Sequence, residues 1–509
     1  MAATSVGAGI LISRIAGLVR VRLIAKYFGQ ESEAADAFYA AFRIPNLLQN
    51  LFGEGALSGS FIPVHAALRA RGEHEAAAQT ARTLFALLSL STAILVLLGV
   101  LAAPIMTDLL VPGFTGARRE LTIRLVRILF PGAGLLVASA WCLGILNSHG
   151  KFLLSYTAPV AWNAAMIATL IALNNRHDPE TLAIYLAWAS VAGSFLQFAV
   201  QLPSAWALSR HRGRMALSEP VRQIGRNFVP ITISRGAVQL TGYIDQYIAS
   251  WLPMGAVAAL TNAQLLYTLP VSLFGVSISA AELPALSEHA TTEGYETFRS
   301  RLDTGLRRLA FFIVPSVVGF VALGDVIAGA VLETGRFRFE DTRYVWGILA
   351  GSSIGLMAST MARLYAVGHY ALSDAKRPLR FATARLAIAA VLGYVSALVL
   401  PAYLGIAPKW GAAALTASSS VAGWVEFVLL RRSLNARIGV TGVPAGHMAR
   451  LWTAALAAAA VAWGARLALP PLHPIVLGGV VLPIFGLTFI GGAFLFGIAV
   501  PGLRPRRTA

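Results

Sequence analysis

The sequence predicts an all-α integral membrane protein of about fourteen transmembrane helices, built as two pseudo-symmetric six-helix lobes plus two C-terminal helices. Three observations carry this expectation. Of 509 residues, 57% are hydrophobic and only 13% are charged, whereas soluble domains carry about 25% charged residues. Apolar stretches of about 20 residues, enough to cross the hydrocarbon of a bilayer, recur along the whole chain, and the mean hydropathy is +0.68. A proline-bounded Phe-Gly pattern occurs once in each half, the mark of an internal repeat.

By length the spans fall near residues 4–28, 36–68, 80–111, 121–147, 152–174, 181–209, 224–252, 255–287, 304–324, 342–368, 380–404, 410–431, 448–469 and 474–499. Pro45, Pro63, Pro131, Pro159, Pro230, Pro270, Pro284 and Pro315 lie in or near them. Each removes an intrahelical hydrogen bond, which a membrane tolerates where neighbours or a polar cavity satisfy the freed carbonyl. Bent helices around a central opening are expected. Cations concentrate in alternate loops: Arg69, Arg71 and Arg82; Arg210, Arg212, Arg214 and Arg222; Arg299, Arg301, Arg307 and Arg308; Lys376, Arg377 and Arg380; Arg431, Arg432 and Arg437. Arg118, Arg119 and the segment with Arg336, Arg338 and Arg343 are exceptions. By the positive-inside rule both termini lie in the cytoplasm.

The formal net charge is +18. In this setting it sets topology and meets anionic lipid heads rather than nucleic acid. The one cysteine, Cys142, lies in an apolar segment and allows neither an internal disulfide nor a thiolate metal site. The first apolar run has arginines in its middle, unlike a cleavable signal peptide.

Span 2 contains IPNLLQNLFGEGALSGSFIPVHAAL and span 8 contains LPVSLFGVSISAAELPALSEHA. Both run proline, apolar, Phe-Gly, an acid, then proline again. This divides the chain into an N-lobe (1–211), a C-lobe (212–437) and a C-terminal part (438–509). The last two spans are rich in Ala and Gly and suit close helix packing or a groove for a lipid tail.

Charges inside apolar spans are the candidate site. An arginine at a helix centre costs roughly 2.5–3.5 kcal/mol on the insertion scale. Arg14 falls near the midplane, with Arg20 and Arg22 roughly 9–12 Å further out. Gly17 between them permits a close approach or a bend. On span 2, Asp36 lies at the outer face and Arg43 in the outer half. Asn46, Gln49 and Asn50 lie near the middle, and Glu54 roughly 27 Å below Asp36. A column of cations, amides and acids suits an anionic ligand that crosses the membrane. Arg20, Arg22 and Lys26 could instead snorkel to the outer interface, and Asp36 could cap its helix or pair with Arg20 or Arg22. In the second half Arg235 either reaches the ligand or pairs with Glu282. Arg127, Arg363, Arg385 and Glu426 read as isolated structural charges.

Enzyme signatures are lacking. GEGALSG at 53–59 has the wrong spacing for a dinucleotide fingerprint and reads as helix-packing glycine. The nine histidines form no HExxH. No Walker A, GxSxG or kinase motif is present, and no acidic cluster suited to Mg²⁺. The expectation is a transporter with no cofactor and no metal site.

The stretches SRIAGLVRVRLIAKYFG, DAFYAAFRIPNLLQNLFGEGALSGSFIPV, GILNSHGKFLLSYTAPVAWN and YALSDAKRPLRFA resemble the MurJ (MviN) family. Its members are the proposed lipid II flippases of bacterial cell-wall synthesis, within the superfamily of multidrug and polysaccharide exporters. The resemblance covers almost the whole chain and implies two six-helix lobes around a cationic cavity in the cytoplasmic membrane. It also implies a groove on the last two helices for the polyprenyl tail. Ser13, Arg14, Gly17 and Arg20 match the family's first helix; Asp36, Asn46 and Glu54 match its second. Gln49 and Asn50, and later Gln264 and Leu265, stand where the family often has a basic residue. Amides then bind the headgroup, or Arg43 and Arg235 supply the charge.

The resemblance implies that undecaprenyl-pyrophosphate-linked lipid II crosses by alternating access. Ser13, Arg14, Gly17, Arg20, Asn46, Gln49, Arg235 and Gln264 would contact it, and Asp36, Arg43, Glu54 and Glu282 would gate by charge pairing. The protein would act as a monomer beside the cell-wall synthesis machinery, driven by an ion or by the membrane potential. The alternative on the same fold is export of another lipid-linked glycan or of amphipathic drugs.

Overall fold

The computed structural model describes residues 2–173, 177–210, 215–289, 295–498 and 500–501; side chains are described throughout these except at residues 2–10, 54, 233–235 and 237–238. Among the described residues the chain is helical and has no strand, only an isolated bridge between Thr334 and Phe337. It divides into two compact units, Met1–Ala258 with Thr334–Phe337, and Ala259–Glu333 with Arg338–Ala509.

The first unit holds α1 (Ala2–Phe28), α2 (Glu33–Phe52), α3 (Glu54–Ala70), α4 (His74–Leu101), α5 (Ala103–Leu110), α6 (Gly116–Ser148), α7 (Phe152–Ala172), α8 (Pro179–Leu208) and α9 (Glu219–Ser250). Helix α6 is the central post, touching α2, α3, α4, α7 and α8. Phe28, Phe38, Leu125, Met166 and Leu186 form one buried cluster of this unit, and Phe61, Trp141 and Ile145 belong to a second. Close packing matters more here than in water, because lipid tails are as apolar as the side chains. Gly193 makes room for Trp162: a Cβ there would lie 2.9 Å from the Trp162 carbonyl.

Span 2, expected as one helix, is two. Gly53 takes an extended conformation (φ −84°, ψ −151°), ends α2 with its N–H on the Gln49 carbonyl at 2.7 Å, and precedes α3. A Cβ on Gly53 would sit 2.2 Å from that carbonyl oxygen. Gly53 is therefore a break rather than the packing glycine the motif suggested. The cap of α2 is Ser32, whose hydroxyl accepts the Ala35 N–H at 3.1 Å, so Asp36 is not used as the cap.

The second unit holds most of α10 (Ala256–Pro270), a wide π-helical turn at Val271–Val276, α11 (Ser277–Glu288), α12 (Glu296–Leu332), α13 (Phe339–Ser353) and α14 (Leu356–Ala371). It continues with α15 (Lys376–Tyr394), a second π-helical stretch, α16 (Leu400–Leu404), α17 (Gly411–Ile438), α18 (Ala445–Ala468) and α19 (Pro474–Leu495). Helices α18 and α19 pack against each other and both touch α12, where Phe489 meets Phe311 with ring centroids 5.4 Å apart.

Ten helices among the described residues are long and apolar enough to cross a membrane, or eleven if α13 and α14, bent by 41°, form one span. Helices α1, α2, α3 and α9 are not in that set. They carry Arg14, Arg20, Arg43 and Arg235, cations expected in the path.

Helix α12 kinks at Leu323 (φ −126°, ψ 16°). The carbonyls freed there are met from outside the helix. The Trp346 indole donates to Phe320 and Val321, both at 3.1 Å, and the Trp463 indole donates to Ala322 at 2.8 Å. Gly324 leaves room for the Trp346 ring, and Asp325 pairs with Arg466 at 2.8 Å. The kink is thus pinned by α13 on one side and by α18 on the other. Trp346→Phe keeps an aromatic side chain and removes the indole donor. It is expected to cost about 1–3 kcal/mol, measured as a lower unfolding midpoint in detergent with helix content unchanged.

Candidate functional site

Arg20, on α1, is held against a ring. Its guanidinium lies 4.3 Å from the centroid of Trp162 on α7, and its Nη1 points at the Met166 sulfur at 3.9 Å. The indole is itself fixed, donating to the Ser190 hydroxyl of α8 at 3.2 Å. Tyr39 of α2 lies within electrostatic reach. No carboxylate pairs with Arg20 among the described residues, and its Nε is buried without an acceptor. A cation resting on an aromatic face is stabilised by roughly 0.5–2 kcal/mol, and here the Nε donor is left without an acceptor. That arrangement can receive an anion.

Asp36 is 1% exposed and accepts three donors. Arg118, at the start of α6, pairs with it at 3.2 Å, and the backbone N–H groups of Gly255 and Ala258 donate at 2.8 and 2.9 Å. The last two lie at the start of α10. The partner expected from α1, Arg20 or Arg22, is replaced by Arg118, a residue that sequence reading set among the exceptions to loop charge. Arg118 also lies 4.1 Å from the Phe114 centroid and donates to the Gly113 carbonyl at 3.2 Å. Its neighbour Arg119 pairs with Asp108.

Arg43 lies between α2 and α9. Its guanidinium is 5.4 Å from the Tyr243 centroid, and the Tyr243 hydroxyl donates to the Arg43 carbonyl at 3.0 Å. Gly242 creates the space: a Cβ there would fall 1.8 Å from an Arg43 nitrogen. Asp245 lies within electrostatic reach. Further along, the Thr232 hydroxyl donates to the Leu51 carbonyl at 3.2 Å, so α9 is joined to α2 at both levels.

Arg14 has an exposed side chain; Ser13, Asn46, Gln49 and Gln264 are partly buried. Gly17 has no neighbour within 4 Å of the place a Cβ would take. The side chains of Glu54 and Arg235 lie outside the described residues. Glu282 is 2% exposed and pairs with Arg301 at 2.7 Å and Arg308 at 3.3 Å, both on α12; the expected pairing with Arg235 falls on a side chain outside the described residues. Arg385 and Glu426, read as isolated, pair with each other at 3.1 Å.

Sequence reasoning missed Trp162, Met166, Arg118, Gly242 and Tyr243. Trp162 lies in PVAWN, one of the stretches that carry the family resemblance, but nothing in that stretch names its cationic partner. Arg118 carries a weak signal: a cation in the set of alternate loops that is otherwise poor in cations.

The helical arrangement is shared with solved structures. A solved "multidrug resistance MATE family transporter of the MOP superfamily" in an inward-facing conformation aligns with TM-score 0.66 at 16% identity, over 86% of this chain and 98% of that one. A solved "Lipid II flippase MurJ, inward closed conformation" aligns with TM-score 0.77 at 22% identity, over 96% and 98%. At sequence level the family described as "Lipid II flippase MurJ" matches residues 24–477. The lipid II flippase MurJ of Burkholderia cenocepacia is 31% identical over 436 residues, 84% of this chain and 82% of that protein. The probable lipid II flippase MurJ of Rhizobium tropici is 30% identical over 488 residues, 94% and 85%. The chain belongs to the MurJ family.

Removing a buried carboxylate that holds a cation is expected to cost about 3–5 kcal/mol, because the cation is left unpaired. Asp36→Ala should therefore lower the unfolding midpoint in detergent far more than Asp108→Ala, whose pair is solvent-exposed. Equal effects of the two would contradict the assigned role of Asp36.

Proposed function

We propose that this chain moves lipid II, the undecaprenyl-pyrophosphate-linked peptidoglycan precursor, from the inner to the outer leaflet of the bacterial cytoplasmic membrane. Family membership supports the substrate class. The observation that carries the site is Arg20, a membrane-embedded guanidinium with a buried, unsatisfied Nε and an aromatic rather than an acidic neighbour.

In this reading Arg14 and Arg20 take the phosphates. Ser13, Asn46, Gln49 and Gln264 donate to the headgroup, and Gly17 leaves space for it. Arg43 and Arg235 provide further charge. Asp36, Glu54 and Glu282 exchange partners between the states of an alternating-access cycle. The lobes are residues 1–211 and 212–437, and residues 438–509 guide the tail. With α1, the α2–α3 pair and α9 also crossing, the chain makes fourteen passes and both termini face the cytoplasm.

The step is transport without covalent chemistry, carried out by a monomer beside the wall-synthesis machinery. Moving one net charge through 100 mV is worth about 2.3 kcal/mol, so the membrane potential or a coupled ion supplies the drive. A second reading, transport of another lipid-linked glycan, draws on Gln49 and Gln264, which are neutral where the family is often basic.

The test is complementation. A bacterium depleted of its own lipid II flippase is given this chain, and lipid II reaching the outer leaflet is assayed at matched expression. Wild type is expected to restore it, and Arg14→Ala and Arg20→Ala to lower the rate about tenfold or more, the effect of losing at least 1.4 kcal/mol of phosphate binding. No rescue by well-expressed wild type would favour the second reading.

A further inference from the structure

The second unit contains a group of charges that the reading above leaves idle. Arg385 on α15 pairs with Glu426 on α17 at 3.1 Å, and its Nε is buried with no acceptor. Tyr267 on α10 shares a hydrogen bond with Ser359 on α14 at 3.0 Å. The guanidiniums of Arg385 and Arg363 both lie within electrostatic reach of the Tyr267 hydroxyl, and Arg363 and Glu426 within reach of Tyr370. Ser359, Arg363 and Tyr370 recur at i, i+4 and i+11 and so share one face of α14. On α10, Gln264 precedes Tyr267 by three residues and shares its face.

These groups are deep. At 1.5 Å per residue, Tyr267 lies about 17 Å from the start of α10 and Arg385 about 14 Å from the start of α15. Arg363 lies about 12 Å from the end of α14, and Glu426 about 18 Å from the end of α17. An arginine at such a depth faces a partner or a polar cavity. Glu426 neutralises one of the two guanidiniums. Arg363 has an exposed side chain and no hydrogen bond or ion pair among the described residues. A purely structural pair would need Arg385 and Glu426 alone. The second cation, the partly buried Tyr267 hydroxyl and the unsatisfied Nε of Arg385 are surplus to that role.

We propose that Arg363 and Arg385, with the Tyr267 hydroxyl and the Gln264 amide, form a phosphate-binding subsite in the second unit. Planar guanidinium forks match phosphate oxygens two at a time, and a hydroxyl adds a third donor. Glu426 holds Arg385 in place while the site is empty and competes with the ligand for it. The phosphate is either that of a polyprenyl-linked substrate or free inorganic anion. In the first case the subsite rests on the proposed function and adds a second holding point to the same path.

The purified full-length chain in detergent is titrated separately with undecaprenyl pyrophosphate and with inorganic pyrophosphate. Variants are Arg363→Gln, Arg363→Lys, Glu426→Gln and Arg14→Ala, with unfolding midpoints recorded for each. Arg363→Gln is expected to weaken binding about tenfold while Arg363→Lys stays within about threefold, since lysine keeps the charge but not the fork. Glu426→Gln is expected to tighten binding about threefold or more, because it frees Arg385 from a competitor; a structural pair would give no such gain. An effect on both probes assigns the subsite to the bare anion, and an effect on the lipid alone assigns it to the lipid-linked form. Unchanged affinity for both probes in Arg363→Gln and Glu426→Gln overturns the subsite. If Arg14→Ala still weakens lipid binding in that case, the proposed function stands without it. Wild type that binds neither probe also overturns the subsite, and complementation then decides the broader reading.

Discussion

The first unit depends on one buried carboxylate. Asp36 joins α2 to Arg118 of α6 and to the backbone N–H groups of Gly255 and Ala258. A charged acceptor inside apolar surroundings is tolerable only when nearly every lone pair is used, and here three donors arrive from two separated stretches of chain. Those donors fix where α6 begins relative to α2, and where the chain re-enters after α9. Arg118 in turn holds the Gly113 carbonyl in the turn before α6, so one ion pair orders a turn and the starts of two helices.

Cations are handled in two ways, and the difference bears on function. Arg20 rests on a ring that is itself hydrogen-bonded in place. An aromatic face offsets part of the cost of a buried charge without neutralising it or occupying its donors. In the second unit the buried acids Glu282, Glu426 and Asp325 each take one or more arginines. A salt bridge removes most of the field an approaching anion would feel. Arg20 therefore remains electrostatically available, and Arg363 stands out because no acid pairs with it among the described residues.

The helical class and the broad positions of the helices were legible in the sequence, since hydropathy and segment length follow directly from the thickness of hydrocarbon. The breaks were less so. Gly53 reads as a packing glycine within GEGALSG, yet it ends a helix, because an extended backbone there brings its N–H onto Gln49. The kink at Leu323 has no proline, so composition gives no warning of it; it exists because Trp346 and Trp463 arrive from distant helices to bind the freed carbonyls. That Arg14 and Arg20 interrupt an apolar helix was legible in the sequence. Their partners were not. Whether Asp36 meets Arg20, Arg22 or Arg118 depends on which helices become neighbours, and contacts 82 residues apart in sequence leave no local trace.

The central claim is that the path recognises phosphate through arginine, above all Arg20, which rests on an aromatic face and meets no carboxylate among the described residues. The most direct measurement is transbilayer movement in proteoliposomes holding the purified chain. Two labelled lipids with the same sugar-peptide headgroup and polyprenyl tail are compared, one joined through pyrophosphate and the other through an uncharged linker. The pyrophosphate lipid is expected to cross rapidly and the neutral one no faster than in protein-free vesicles. Equal rates for the two lipids would contradict the account.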